Sequence, residues 1–148
     1  MSQEAHAIWK GGLFTGEGNI STPSGVLNNS TYAYGSFAGD VHGTTPCEML
    51  AAAIASCMAT TVAVEMAKVG IKPATVDTYA SLTFDNPADQ GQVTGVRLNI
   101  TARTTDVEPR GFEAAIEAAL HSCPVTNLLK VELKCKSKLT SVTAVAMV

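Results

Sequence analysis

Charge is scarce in this chain. Only 16% of its 148 residues are Asp, Glu, Lys or Arg, and they sum to −3 with no basic cluster. The electrostatic footprint of a nucleic-acid binder is missing, so no nucleic-acid partner is expected. Cysteine is sparse too: four in a chain of this length are too few for a disulfide scaffold. The opening Met-Ser-Gln-Glu-Ala-His lacks the basic and apolar regions of a signal peptide, so a reducing, cytoplasmic setting is the expectation. The apolar tail from Val142 to Val148 is far shorter than the ~20 residues that cross a bilayer, and no membrane partner is expected. It reads as a strand end or a disordered terminus. Three scattered histidines, His6, His42 and His121, show no metal-ligand spacing.

What is present is one domain's worth of chain, long enough to remove about 68–70% of its unfolded surface from water. No linker, repeat or low-complexity segment divides it, and residues 1–148 read as a single α+β domain. Glycines with Pro23 and Asn28-Asn29 punctuate short runs such as Ala5–Trp9 and Asn19–Thr22, which suggests N-terminal hairpins. The pattern changes at Thr45-Pro46-Cys47-Glu48, which combines a Thr N-cap, Pro at the first helical position and Glu three residues after the cap. A helix is expected from Pro46 to Lys68, with Gly70 as its C-cap and Pro73 beyond. No charge stands between Glu48 and Glu65, so this helix is apolar around its whole circumference and should be buried on every side.

Two alternating runs follow. Val76, Thr78, Ala80, Leu82 and Phe84 share one face, as do Val96, Leu98, Ile100 and Ala102, and the turn chemistry of Asp85-Asn86-Pro87 through Gly91 joins them as an antiparallel hairpin. Helical spacing returns from Pro109 to Leu120 through Phe112, Ala115, Ile116 and Ala119. After a break at Cys123-Pro124, a short helix to Lys130 is expected. It leads to a strand with Val131, Leu133, Cys135 and Leu139 inward and Glu132, Lys134, Lys136 and Lys138 on a wet face.

Each cysteine admits a structural and a reactive reading, because a free Cys packs readily in cores and reactivity requires a lowered pKa with access. Cys57 lies in the middle of the apolar helix. Cys123 is read at the start of a helix with Pro124 at the first position, where backbone N–H groups and the dipole favour a thiolate. Cys47 shares that advantage in the first turn of the central helix. It is about 15 Å along the axis from Cys57, too far for a disulfide between them. Cys135 reads as core packing.

Several phrases together carry a resemblance. Ser24-Gly25-Val26-Leu27-Asn28-Asn29, then Gly43-Thr44-Thr45-Pro46-Cys47-Glu48-Met49-Leu50 leading to Ala55-Ser56-Cys57-Met58, then Cys123-Pro124-Val125-Thr126, resemble a divergent member of the OsmC/Ohr family. The resemblance runs from Trp9-Lys10-Gly11-Gly12 to the last strand. It implies an OsmC-like fold of curved antiparallel sheets wrapped around long central helices, in an obligate, intertwined homodimer. It also implies a thiol peroxidase acting on organic hydroperoxides in oxidative-stress defence. Cys57 would be the peroxidatic thiol and Cys123 the resolving one, with an external dithiol as reductant and no metal, haem or flavin.

The chain departs from the family pattern at two places. Peroxidases of the family carry an Arg that steadies the thiolate, but here Ser36 precedes Phe37 and Leu13 follows Gly12. The partner Glu usually follows the helix-start Pro directly, whereas here Cys47 stands there and Glu48 comes next. Glu48 is therefore read either as a helix cap or as a catalytic group that orients a cation from Lys10, His42, Arg97 or Arg103. Cys47 is a possible additional redox thiol acting across the dimer. Two further readings stand beside the peroxidase: a non-catalytic thiol sensor or small-ligand binder on the same fold, and a structural dimerisation module.

Overall fold

The computed structural model describes residues 2–12, 15–33, 43–85, 91–105 and 110–141. Leu13, Ser36, Phe37, His42, Pro109 and the tail from Val142 lie outside them, as does most of the turn at Asn86-Pro87. The backbone falls into two compact units, Met1–Leu50 and Ala51–Val148.

In the first unit, β1 (His6–Lys10), β2 (Glu17–Ser21) and β3 (Ser30–Tyr32) form an antiparallel meander, as the turn punctuation predicts. Gly18 pairs with Trp9 on one side and Tyr32 on the other. Any Cβ at Gly18 would run into the Tyr32 ring, which lies 5.9 Å from the Trp9 ring centre across the bare glycine. Just before the central helix, Thr44 bridges to Tyr32. The cap then forms as its sequence dictates: the Thr45 N–H donates to Glu48 Oε2 at 3.0 Å, and the Glu48 N–H donates to Thr45 Oγ1 at 3.1 Å. These reciprocal bonds satisfy two of the amides that a helix start leaves without partners.

Helix α1 spans Pro46–Lys68, the expected bounds. It ends in a Schellman motif, with the Gly70 N–H donating to Ala67 O at 3.1 Å and the Ile71 N–H to Met66 O at 2.9 Å. Gly70 sits at φ 80° with open space where a Cβ would be, so Gly70→Ala is penalised by backbone conformation alone. That substitution should lower unfolding stability by about 1–2 kcal/mol, read as a lower urea midpoint at unchanged m-value.

In the second unit, β4 (Pro73–Phe84) and β5 (Val93–Thr104) form the expected antiparallel hairpin. Its register sets Val76 against Ala102, Thr78 against Ile100, Ala80 against Leu98 and Leu82 against Val96. α2 (Phe112–Ser122) then crosses back, and β6 (Glu132–Ser141) adds beside β5 in parallel. The expectation of antiparallel sheets needs that correction. A strand reached through a helical crossover can return in the same direction, which a tight hairpin cannot achieve. The core collects Val96, Leu98, Ile100 and Ala102 of β5, Ala115, Ile116 and Ala119 of α2, and Ile54, Met58, Val62 and Met66 of α1.

The expected burial of α1 on every side is not met within one chain. One stripe is enclosed, while Ala52, Ala53, Ser56, Thr60 and Val64 are exposed, Val64 at 53%. By length and composition α1 could also cross a bilayer. One small sheet and one short helix cannot surround a helix of 23 residues.

Candidate active site

The second unit brings Cys57 and Cys123 together. Their Sγ atoms are 3.3 Å apart, about 1.3 Å beyond a bonded disulfide, and both are free thiols. The two reach this contact from different local structures. Cys57 is half-buried on α1, where its carbonyl accepts hydroxyl hydrogen bonds from Thr60 at 2.9 Å and Thr61 at 2.8 Å. Cys123 is fully buried just past the end of α2.

Cys123 does not start a helix, as the sequence suggested; it closes one. Its N–H donates to Ala119 O at 3.0 Å, and its backbone is extended, at φ −66° and ψ 115°. Pro124 explains this, because the proline ring disfavours helical geometry in the residue before it. Beyond it lies only a single 3₁₀ turn, Thr126–Leu128, in place of a helix to Lys130. The dipole argument for Cys123 falls with that helix. Hydrogen bonds act in its stead: burial pushes the Cys123 thiol up, but the Thr126 hydroxyl and amide, the Cys57 thiol and the Val125 amide outweigh it, leaving Cys123 below an ordinary thiol.

Cys57 shifts the other way. Burial raises its pKa, and the neighbouring Cys123 adds to this through hydrogen bonding and charge, while the Val125 amide and the Thr61 hydroxyl only partly offset the rise. The pair is thus asymmetric: the reachable thiol is the weaker acid and the enclosed one the stronger.

Cys47 is half-buried in the first turn of α1, within the first unit. Glu48 belongs to that unit as well, where its Oε2 serves the cap and also accepts from the Thr44 hydroxyl at 3.0 Å. Among the cations considered for Glu48, Lys10 is exposed at the end of β1, and Arg97 and Arg103 are exposed on β5. Cys135 shares the inward face of β6, opposite Leu98, and burial raises its pKa. Among the described residues, no group of three or more His, Cys, Asp or Glu could hold a metal ion.

Sequence reasoning missed the groups that tune the thiols: Thr61, Thr126 and the Val125 amide. Thr61 was visible as the residue four positions after Cys57, on the same helix face. The Val125 and Thr126 contributions depend on how the chain turns after Pro124, which spacing alone does not disclose.

Comparisons with known proteins agree with this architecture. A family model described as OsmC-like protein matches residues 38–138. Peroxiredoxin OsmC of Escherichia coli K12 is 29% identical over 141 residues, covering 95% of this chain and 99% of that protein. Among solved structures, an OsmC-like protein of unknown function from Vibrio cholerae superposes with a TM-score of 0.77 at 16% identity, covering 93% of this chain and 99% of that one. The organic hydroperoxide resistance protein OhrB of Bacillus subtilis gives 0.61 at 21% identity, covering 93% of this chain and 98% of that one.

Proposed function

This chain belongs to the OsmC-like family, and from that premise we propose that it is a dithiol-dependent peroxidase that reduces organic hydroperoxides with Cys57 and Cys123. The observation that carries the reading is the 3.3 Å contact between the two sulfurs, one reachable and one enclosed. The name of the Escherichia coli relative, a peroxiredoxin, supports the peroxide chemistry, and that of the Bacillus subtilis protein supports an organic substrate.

In the proposed cycle the Cys57 thiolate attacks one peroxide oxygen. The O–O bond breaks, the leaving alkoxide takes a proton to become an alcohol, and Cys57 becomes a sulfenic acid. The Cys123 sulfur then displaces water from that sulfenic acid and closes the disulfide. An external dithiol returns two electrons by exchange through a mixed disulfide, in a reducing compartment such as the cytoplasm. The asymmetry of the pair suits this division of labour. The half-buried partner can meet substrate, and the enclosed one, being the stronger acid, gives up its proton more readily for the attack that closes the disulfide. Apolar residues of α1 around Cys57 favour alkyl over very polar peroxides. Equal turnover of hydrogen peroxide and bulky alkyl hydroperoxides would contradict that preference.

Because the thiolate is the nucleophile and Cys57 titrates above an ordinary thiol, its thiolate fraction is small at neutral pH and still climbing at pH 8. The second-order rate of Cys57 oxidation should therefore rise close to ~10-fold per pH unit between about pH 7 and 8. A plateau reached below pH 8 in stopped-flow measurements would show that another group lowers the Cys57 pKa. Glu48 is proposed to contribute to catalysis beside its capping role.

We also propose that a second copy of the chain covers the exposed face of α1. The raised pKa of Cys57 favours one alternative, a thiol sensor that is oxidised once and does not turn over. Consumption of an organic hydroperoxide in the presence of a dithiol decides between them: repeated turnover supports the peroxidase, and a single equivalent supports the sensor.

A further inference from the structure

The stripe of α1 that carries Cys57 continues through Thr61 to Glu65, at four-residue spacing and about 12 Å along the axis. Glu65 is 7% exposed, the one charged residue among the buried positions of this helix. Its Oε1 receives two hydrogen bonds, from Lys68 Nζ at 2.8 Å and from the Ser122 hydroxyl at 3.1 Å. The first is an ordinary pair within one helix whose Lys side chain is 62% exposed. The second joins two helices. Ser122 is the last residue of α2 and the immediate neighbour of Cys123.

α1 and the end of α2 therefore meet at two points, the sulfurs at one and the Glu65–Ser122 bond at the other. Burying a carboxylate is unfavourable unless it is paired, so a buried Glu reaching across to another element calls for a reason. Lys68 and Ser122 also hold the Glu65 carboxyl below the usual carboxylate range against the opposing effect of burial, so it is an anion at neutral pH and a strong acceptor.

We propose that Glu65 is a positioning residue that, through the Ser122 hydroxyl, holds the extended Cys123 segment against Cys57 and so favours disulfide closure. This rests on the reading of the two cysteines as one redox pair. The reduced pair needs only the last ~1.3 Å of approach to bond. Misplacement by about 1 Å can reduce an intramolecular reaction ~100-fold, so loss of the tie should be measurable even when the fold is intact.

The test uses the full chain with Cys47 and Cys135 replaced by Ser, equilibrated with reduced and oxidised dithiothreitol. In this exchange the Cys57–Cys123 disulfide and reduced dithiothreitol form as the protein dithiol and oxidised dithiothreitol are consumed, with no peroxide involved. Ser122→Ala should lower the equilibrium constant for the protein disulfide about tenfold, Ser122→Thr should restore it, and Glu65→Gln combined with Ser122→Ala should add little to Ser122→Ala alone. Thermal unfolding of the reduced forms checks that folding is preserved. An equilibrium within twofold of the parent in Ser122→Ala, or equal losses in the Ala and Thr variants, overturns the proposal. A parent that forms no Cys57–Cys123 disulfide overturns both this proposal and the redox pairing. A parent that forms it yet consumes no hydroperoxide sinks only the peroxidase.

Discussion

Cys57→Ser is expected to abolish dithiol-dependent consumption of an organic hydroperoxide, bringing it down to the uncatalysed background. The hydroxyl occupies nearly the same space but is far less nucleophilic than a thiol, and it cannot form the sulfenic acid on which the cycle turns. Cys123→Ser should behave differently. With the dithiol left out, Cys57 remains half-exposed and free to react once, so the variant should consume about one equivalent of peroxide and stop, leaving a sulfenic acid that a carbon nucleophile can trap. The contrast between zero and one equivalent assigns the roles directly. One equivalent consumed by Cys57→Ser and none by Cys123→Ser would reverse them, an outcome that the lower pKa of Cys123 makes a real alternative.

The features legible in the sequence were those fixed by neighbours along the chain. Thr45, Pro46 and Glu48 form a cap within four residues, and Gly70 ends the helix through bonds to Met66 and Ala67, so both ends of α1 could be read directly. Strands β4 and β5 were legible because period-2 alternation marks one buried face, and the observed register pairs those same faces. The direction of β6 was not, since alternation is the same whether a strand runs parallel or antiparallel. Cys123 is the instructive exception. By sequence Pro124 reads as the first residue of a helix, but its effect on the residue before it, ending α2 in extended geometry, is the stronger one. The site was thus half legible: the two thiols could be named, while the amide and hydroxyls that set their acidity, and the tie from Glu65 to Ser122, depend on tertiary placement.

Val64→Glu is expected to break the proposed association of two chains. The residues along the exposed face of α1 are small or β-branched: Ala53, Ser56, Thr60 and Val64 recur at three- to four-residue intervals, with Ala52 beside them. Such a surface lets another backbone come close, and a helix apolar on all sides requires cover that one chain does not supply. Stable association takes a contact burying more than about 1,000 Å² in total, so Val64 would be enclosed in it. An unpaired carboxylate buried there would cost several kcal/mol, equivalent to a ~10²–10³-fold weaker dimer. Light scattering should accordingly find a dimer for the parent chain and a monomer for Val64→Glu. Lys136→Glu, on the exposed face of β6, should leave the dimer unchanged. A parent chain that is monomeric in buffer at every concentration would refute the proposal, and its transfer to lipid vesicles would identify the apolar face of α1 as a membrane contact instead.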